Sequence, residues 1–173
     1  MVSISDSGLK ILLFLIRNYA ARHTTREISL KLKISPAGSY KSLKKLEKDS
    51  IVIPEKLGTG LFYSINYTNI SAFYLACFAS SINEKDIKDL KQHSKAVIKT
   101  KNSILIIPNH HDENIITTSA LKLFKDTKIE ILSEEDFSRK IITKDSSMAE
   151  AMKDSEFIYG SGFIIKAIAR MIR

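Results

Sequence analysis

A chain of 173 residues with 44% hydrophobic content is long enough for one domain or two small ones, each with a packed core. Its single cysteine, Cys77, excludes an internal disulfide and fits a reducing cytoplasm. The net charge of +8 is uneven: residues 1–70 hold eleven Lys/Arg against five Asp/Glu, residues 71–173 sixteen against fourteen, so a phosphate-binding surface is expected early in the chain. Charge alone also allows RNA or an anionic membrane. The run Ile11 to Ile16 is too short to span a bilayer, and Arg17 ends it.

The first helix is expected from Asp6 or Ser7 to about Ala21, with Leu9, Leu12, Leu13, Ile16 and Ala20 on one face. Thr24 caps a second helix, and Glu27 three residues on completes a capping box. Ile28, Leu32 and Ile34 give that helix a narrow apolar face. Ser35 caps a third helix, and Pro36 takes its first position, where a missing N–H costs nothing. Leu43 and Leu46 point inward. The remaining faces carry Gly38, Ser39, Lys41, Ser42, Lys44, Lys45 and Lys48. A thin apolar stripe under a wide basic, small-residue face suits a groove of nucleic acid. Ile51 to Ile53 and Leu61 to Ile65 read as a strand pair around the loop 54–60. Leu61, Tyr63 and Ile65 share one side, and Gly58 and Gly60 supply positive φ at the tip.

Taken in order, the capped helix, the Ile34-Ser35 turn, the basic helix ending in Leu46-Glu47-Lys48-Asp49-Ser50-Ile51-Val52, and the wing ending in Tyr63-Ser64-Ile65-Asn66 resemble the winged-helix DNA-binding domains of small prokaryotic transcription regulators. The resemblance covers roughly residues 6–68. It implies that the third helix, about 35–48, enters the major groove of double-stranded DNA. Ser39, Tyr40 and Ser42 would lie near base edges, and Lys41, Lys44 and Lys45 on phosphates. Ser35 and Gly38 at the helix start complete that set. Lys56 and Thr59 on the wing 54–60 would touch the backbone or minor groove.

Beyond the wing, a helix from about Ser71 to Ser81 is apolar nearly all round, so protein must cover it. A homodimer contact or a bridge between domains would do so. Cys77, within it, reads as a buried structural thiol. Asn83 caps a further helix, Glu84 to about Val97, with Ile87, Leu90, Ser94 and Val97 inward. Ser103 to Ile107, ended by Pro108, looks like a buried central strand. A polar loop, Asn109 to Asn114, leads to a helix from about Ile116 to Lys125. The strand Lys128 to Leu132 follows, then helices to about Ile142 and from 145 or 146 to Lys153. A strand Phe157 to Tyr159 and a helix from Ser161 to about Met171 complete the chain. Strands alternating with helices predict a small α/β layer with a mostly parallel sheet.

The order Lys128 to Phe137, Met148 to Met152, then Phe157 to Ser161 is similar to the tail of small prokaryotic nucleotidyltransferase-fold domains. That resemblance implies an active site with a Gly-Ser turn and a strand-borne Asp-x-Asp that holds two metal ions. The chain departs from it. Asp86-Ile87-Lys88-Asp89 has the wrong spacing, and Gly160-Ser161 has no acidic residue after it. Two-metal chemistry needs carboxylates to grip the cations. His110-His111-Asp112 are adjacent on one loop, a poor geometry for a single ion. No catalytic residue, metal site or cofactor is therefore expected.

The sequence thus predicts an α+β winged helix over 1–69, connecting helices over 70–99, and a small α/β domain over 100–173 that is a nucleotidyltransferase-like remnant. The expected function is a cytoplasmic, sequence-specific transcription regulator, a homodimer without membrane association. Its second domain would meet an effector or protein partner. The alternatives are a nucleotidyltransferase-fold enzyme that holds nucleic acid with its winged helix, and a module that binds protein or RNA.

Overall fold

Residues 4–109 and 113–172 are described by a computed structural model, and they divide after Ala79 into two units. The fold is α+β with two small sheets, an antiparallel one of three strands and a mixed one of four. Among the described residues no helix is long and apolar enough to cross a membrane.

The first unit runs α1 (Asp6–Arg17), β1 (His23–Thr24), α2 (Thr25–Leu32), α3 (Pro36–Lys48), β2 (Val52–Leu57) and β3 (Gly60–Ile65). Ser5 caps α1, its hydroxyl accepting from the Gly8 N–H at 3.2 Å. The helix stops at Arg17 rather than near Ala21. Asn18 ends it by donating both its backbone N–H (3.0 Å) and its side-chain amide (2.8 Å) to the Phe14 carbonyl. The buried face is also rotated from the expected one. Gly8, Ile11, Leu12, Leu15 and Ile16 face inward. The unbroken apolar run from Ile11 to Ile16 fits either stripe, and packing selects the one that meets α3.

The capping box of α2 forms as expected: the Glu27 N–H donates to Thr24 Oγ1 at 3.3 Å and the Thr24 N–H to Glu27 Oε2 at 2.7 Å. Lys33 takes a left-handed conformation, φ +53°, and turns the chain into α3. Ile28, Leu43, Ile51, Tyr63 and Ile65 join the α1 residues in the core.

The strand pair is longer than the sequence suggested. Pro54, Glu55 and Lys56 pair with Tyr63, Phe62 and Leu61, so the expected seven-residue loop shrinks to a two-residue turn at Gly58-Thr59. Pro54 is tolerated because β2 is an edge strand in the order β1-β3-β2. Gly58 alone takes positive φ (+57°), at the first central position, where a type II′ hairpin wants glycine. Gly60 sits in β3 without it; a Cβ there would meet the Phe62 ring at 2.6 Å. Tyr63 and Ile65 are buried, but Leu61 lies past the core edge and is exposed.

α4 (Ile70–Ser81) spans the division between the units. The second unit then runs α5 (Lys88–Lys91), β4 (Ser94–Lys99), β5 (Ser103–Pro108), α6 (Glu113–Leu123), β6 (Lys128–Ile131), α7 (Glu134–Ile142), α8 (Ser146–Lys153), β7 (Glu156–Tyr159), α9 (Ser161–Ala169) and a 3-10 turn, Arg170–Ile172. The helix expected over 84–97 is not formed. Only Lys88–Lys91 is helical, and Ser94–Lys99 is a strand. Ile87, Leu90, Ser94 and Val97 are all buried, so their helical spacing mimicked a face. Ala96, Val97 and Ile98 are consecutive and fully buried, which a strand covered on both faces permits.

The sheet order is β6-β5-β4-β7. Only β5 and β6 are parallel; β4 pairs antiparallel with both β5 and β7, so the mostly parallel sheet is not found. The cause is β4 itself, which reaches β5 through a tight hairpin instead of a crossover. Val97, Ile104, Ile106 and Ile158 pack with Ile116 and Ala120 of α6 and with Ile87 and Leu90. The alternate side chains Ala96, Ile98, Leu105, Ile107 and Phe157 are equally buried, and α7 and α9 lie against β5 and β4.

Candidate nucleic-acid interface

The N-terminus of α3 is built by two of the expected residues. The Ser35 hydroxyl accepts from the Gly38 N–H at 3.1 Å, and a Cβ on residue 38 would lie 2.9 Å from that oxygen. Both residues therefore shape the start of the helix.

Ser39, Leu43 and Leu46, spaced i, i+4, i+7, form the buried stripe of α3. Ser39 is 0% exposed, so it does not reach a base edge as expected. A small polar residue looked like surface, but its position continues the leucine stripe into the core. Ser42 is half-buried at the margin. Tyr40, Lys41, Lys45 and Lys48 are exposed on the opposite side.

Lys44 lies on that outer side but is not a free cation. Its ammonium is 2.9 Å from Glu47 Oε2 and 6.0 Å from the centre of the Tyr40 ring. The Glu47 carboxylate holds the Lys44 pKa above its ordinary value, with smaller contributions from Tyr63 and Tyr40. The i, i+3 pairing was legible in Lys44-Lys45-Leu46-Glu47 but is absent from a simple count of lysines.

Lys56 and Thr59 are exposed on the β2–β3 hairpin. Glu55, beside Lys56, is met by Arg22 at 3.2 Å. This pair neutralises the acid nearest the hairpin lysine, and Arg22 was not foreseen as part of the surface. Of the ten expected residues, Ser35, Tyr40, Lys41, Lys45, Lys56 and Thr59 are exposed, Gly38, Ser42 and Lys44 are partly buried, and Ser39 lies inside.

Gly160 has φ +77° and turns β7 into α9, and a Cβ there would lie 2.0 Å from the Lys95 carbonyl oxygen. The Ser161 N–H at the start of α9 donates to Glu84 Oε1 at 2.6 Å. This Gly-Ser turn is thus a packing element whose helix end is already met by a carboxylate. The Glu130 carboxylate is held below its ordinary pKa by Lys128, 3.0 Å away, with help from Ser103. The described residues contain no group of three His, Cys, Asp or Glu able to hold a metal ion. His110, His111 and Asp112 lie outside the described residues. Cys77 is only partly buried, not enclosed as expected. No family model, curated protein or solved structure matches the chain.

Proposed function

We propose that the chain is a sequence-specific, duplex DNA-binding transcription regulator whose first unit is a winged helix. Three features support this reading: the order helix, short strand, two helices joined by a tight turn, and hairpin; the pairing of β1 with β3; and the concentration of basic charge in residues 1–70. The observation that carries it is the outer face of α3. Tyr40, Lys41, Lys45 and Lys48 stand exposed opposite a stripe that anchors the helix in the core. Such a helix can enter a major groove with lysines on phosphates while Tyr40 meets base edges or methyl groups. The hairpin then supplies Lys56 and Thr59 to the neighbouring backbone.

The test is a salt titration of binding to mixed-sequence duplexes, followed by selection from random duplex DNA. Lys41→Glu with Lys45→Glu removes two phosphate contacts and should flatten the slope of log K against log salt by about 1.8. Glu47→Gln, which releases Lys44, should steepen it by up to about 0.9. A double variant that binds like the parent at every salt concentration would remove α3 from the interface.

A further inference from the structure

We infer that the second unit holds a small-molecule site in the crevice at the carboxyl ends of β5 and β6, and that its ligand is a small zwitterion of the α-amino acid class. Nothing in this site depends on DNA binding by the first unit. β5 and β6 run parallel, in register from Ser103 with Lys128 to Ile106 with Ile131. From the end of β5 the chain passes to α6, which packs with Ile104 and Ile106 on one face of the sheet. From the end of β6 it passes to α7, which lies with α9 on the other face, where Phe137 meets Phe163. Neighbouring parallel strands whose connections leave to opposite faces open a crevice at their carboxyl ends, and open sheets bind ligands there. A cavity of about 580 Å³ lies at that position, within the size range of small-molecule sites. Pro108 and Asn109 line it from the end of β5, Ile131 and Ser133 from the end of β6.

Three features bring polar groups to this crevice. The first is a bulge in β4. Ser94 pairs with Pro108 and Ala96 with Ile107, so Lys95 is the extra residue. A bulge re-aims a side chain. Lys95 lines the cavity, and its ammonium meets Glu134 at the start of α7. The second is Ser138, one turn further along α7. It lines the cavity, and its hydroxyl oxygen is buried with no hydrogen-bond partner among the described residues. An unpaired buried hydroxyl costs stability, and a polar ligand would satisfy it. The third is a set of charges. Glu113, Glu135 and Arg170 line the cavity with no ion-pair partner among the described residues.

Those charges select the ligand. Glu113 and Glu135 stand in the first turns of α6 and α7. Carboxylates there offset the positive ends of both helices and repel a phosphate, the usual guest of a helix start. A bare divalent ion fits no better, because the described residues hold no group of three His, Cys, Asp or Glu able to bind a metal. Carboxylates that are present but not gathered suit an ammonium group, with its three N–H donors. Arg170 supplies the opposite sign, and a guanidinium holds a carboxylate through two parallel hydrogen bonds. An α-amino acid carries both groups on one carbon. Pro108 and Ile131 offer apolar contact to its side chain.

The test is calorimetric titration of the full chain, without DNA, with each of the standard L-amino acids. At least one should bind. Its N-acetyl derivative, which lacks the ammonium, and its methyl ester, which lacks the carboxylate, should each bind about tenfold or more weakly. Glu135→Gln and Arg170→Gln should each weaken binding by a similar factor. Both positions are exposed, so the circular dichroism of these variants should match the parent. Ser138→Ala should weaken binding while leaving the urea midpoint unchanged or raised, since it removes an unpaired buried hydroxyl. No binding of any amino acid at millimolar concentration overturns the proposal. So do N-acetyl and ester forms that bind as well as the amino acid, or binding that none of the three variants weakens. Inorganic phosphate or magnesium that binds in place of the amino acids, and is lost with the same variants, overturns it as well.

Discussion

Gly58 and Gly160 both take positive φ, but their surroundings differ. At Gly58 a methyl group meets nothing within 4 Å; at Gly160 it would lie 2.0 Å from the Lys95 carbonyl oxygen and 2.7 Å from the Ala96 Cα. Gly58→Ala should therefore cost only the backbone term, about 1–2 kcal/mol. Gly160→Ala adds a clash with backbone that cannot move without breaking the β4–β7 pairing, and should cost more than about 4 kcal/mol. Urea titration followed by circular dichroism separates the two: a shifted midpoint for the first, loss of the second unit's structure for the other. Equal penalties would show that the close approach of residue 160 to β4 is wrong. Neither number follows from the identity of the residue, since both positions read only as glycine at a turn.

At the scale of one element, α2 depends on its capping box. Glu27 accepts from the Thr24 backbone N–H and hydroxyl, and these bonds hold its carboxyl below the ordinary value of 4.5. A carboxyl depressed in the folded state stabilises at pH values above its unfolded pKa. That contribution is lost as pH falls through the lower, folded value. Glu27→Ala should thus destabilise the first unit by about 0.5–1 kcal/mol near neutrality and by less below the ordinary carboxylate range. Urea midpoints at neutral and acid pH give the comparison. A penalty independent of pH would mean that Glu27 acts through packing or helix propensity alone. The element also explains the position of α3: the box fixes where α2 starts, Lys33 turns the chain, and Ser35 restarts it one short turn later.

For the whole molecule the open choice is between a regulator and an enzyme. Our reading of the second unit is that it carries no nucleotidyl transfer. Two metal ions about 4 Å apart need carboxylates placed together. Here Glu130 is engaged by Lys128, Glu134 by Lys95, and Asp136 by Arg139. Incubation with labelled nucleoside triphosphates, magnesium or manganese, and RNA or protein acceptors should leave the label untransferred. Transfer that is lost with Glu130→Gln and Asp112→Asn would instead make the second unit the active part of the molecule. Two cavities of about 460 and 580 Å³ flank the β5–β6 pair, both lined by residues of mixed charge.

Local chemistry was written in the sequence wherever one residue satisfies its near neighbours. Thr24 with Glu27 and Ser35 with Pro36 each mark a helix start that forms as read, and Ser133 before α7 and Asp145 before α8 cap their helices in the same way. Such caps depend on groups three residues away, so no tertiary contact is needed to fix them. The continuous apolar run at β5 was legible for the same kind of reason, since burial on both faces leaves no alternation. Tertiary structure decided the rest. Residues 84–97 satisfied a helical spacing, yet β4 forms because β5 and β7 supply the hydrogen-bond partners on its two edges. Pro54 to Leu57 read as loop, yet β3 recruits them into the hairpin. Ser39 read as surface, yet the rotation of α3 against α1 and α2 turns it inward, while Lys41, Lys45 and Lys48 turn out. The sequence alone determined that the early part of the chain is basic and helical. Which lysines face solvent is a property of packing, because a helix of fixed composition presents different side chains for every angle at which its neighbours hold it.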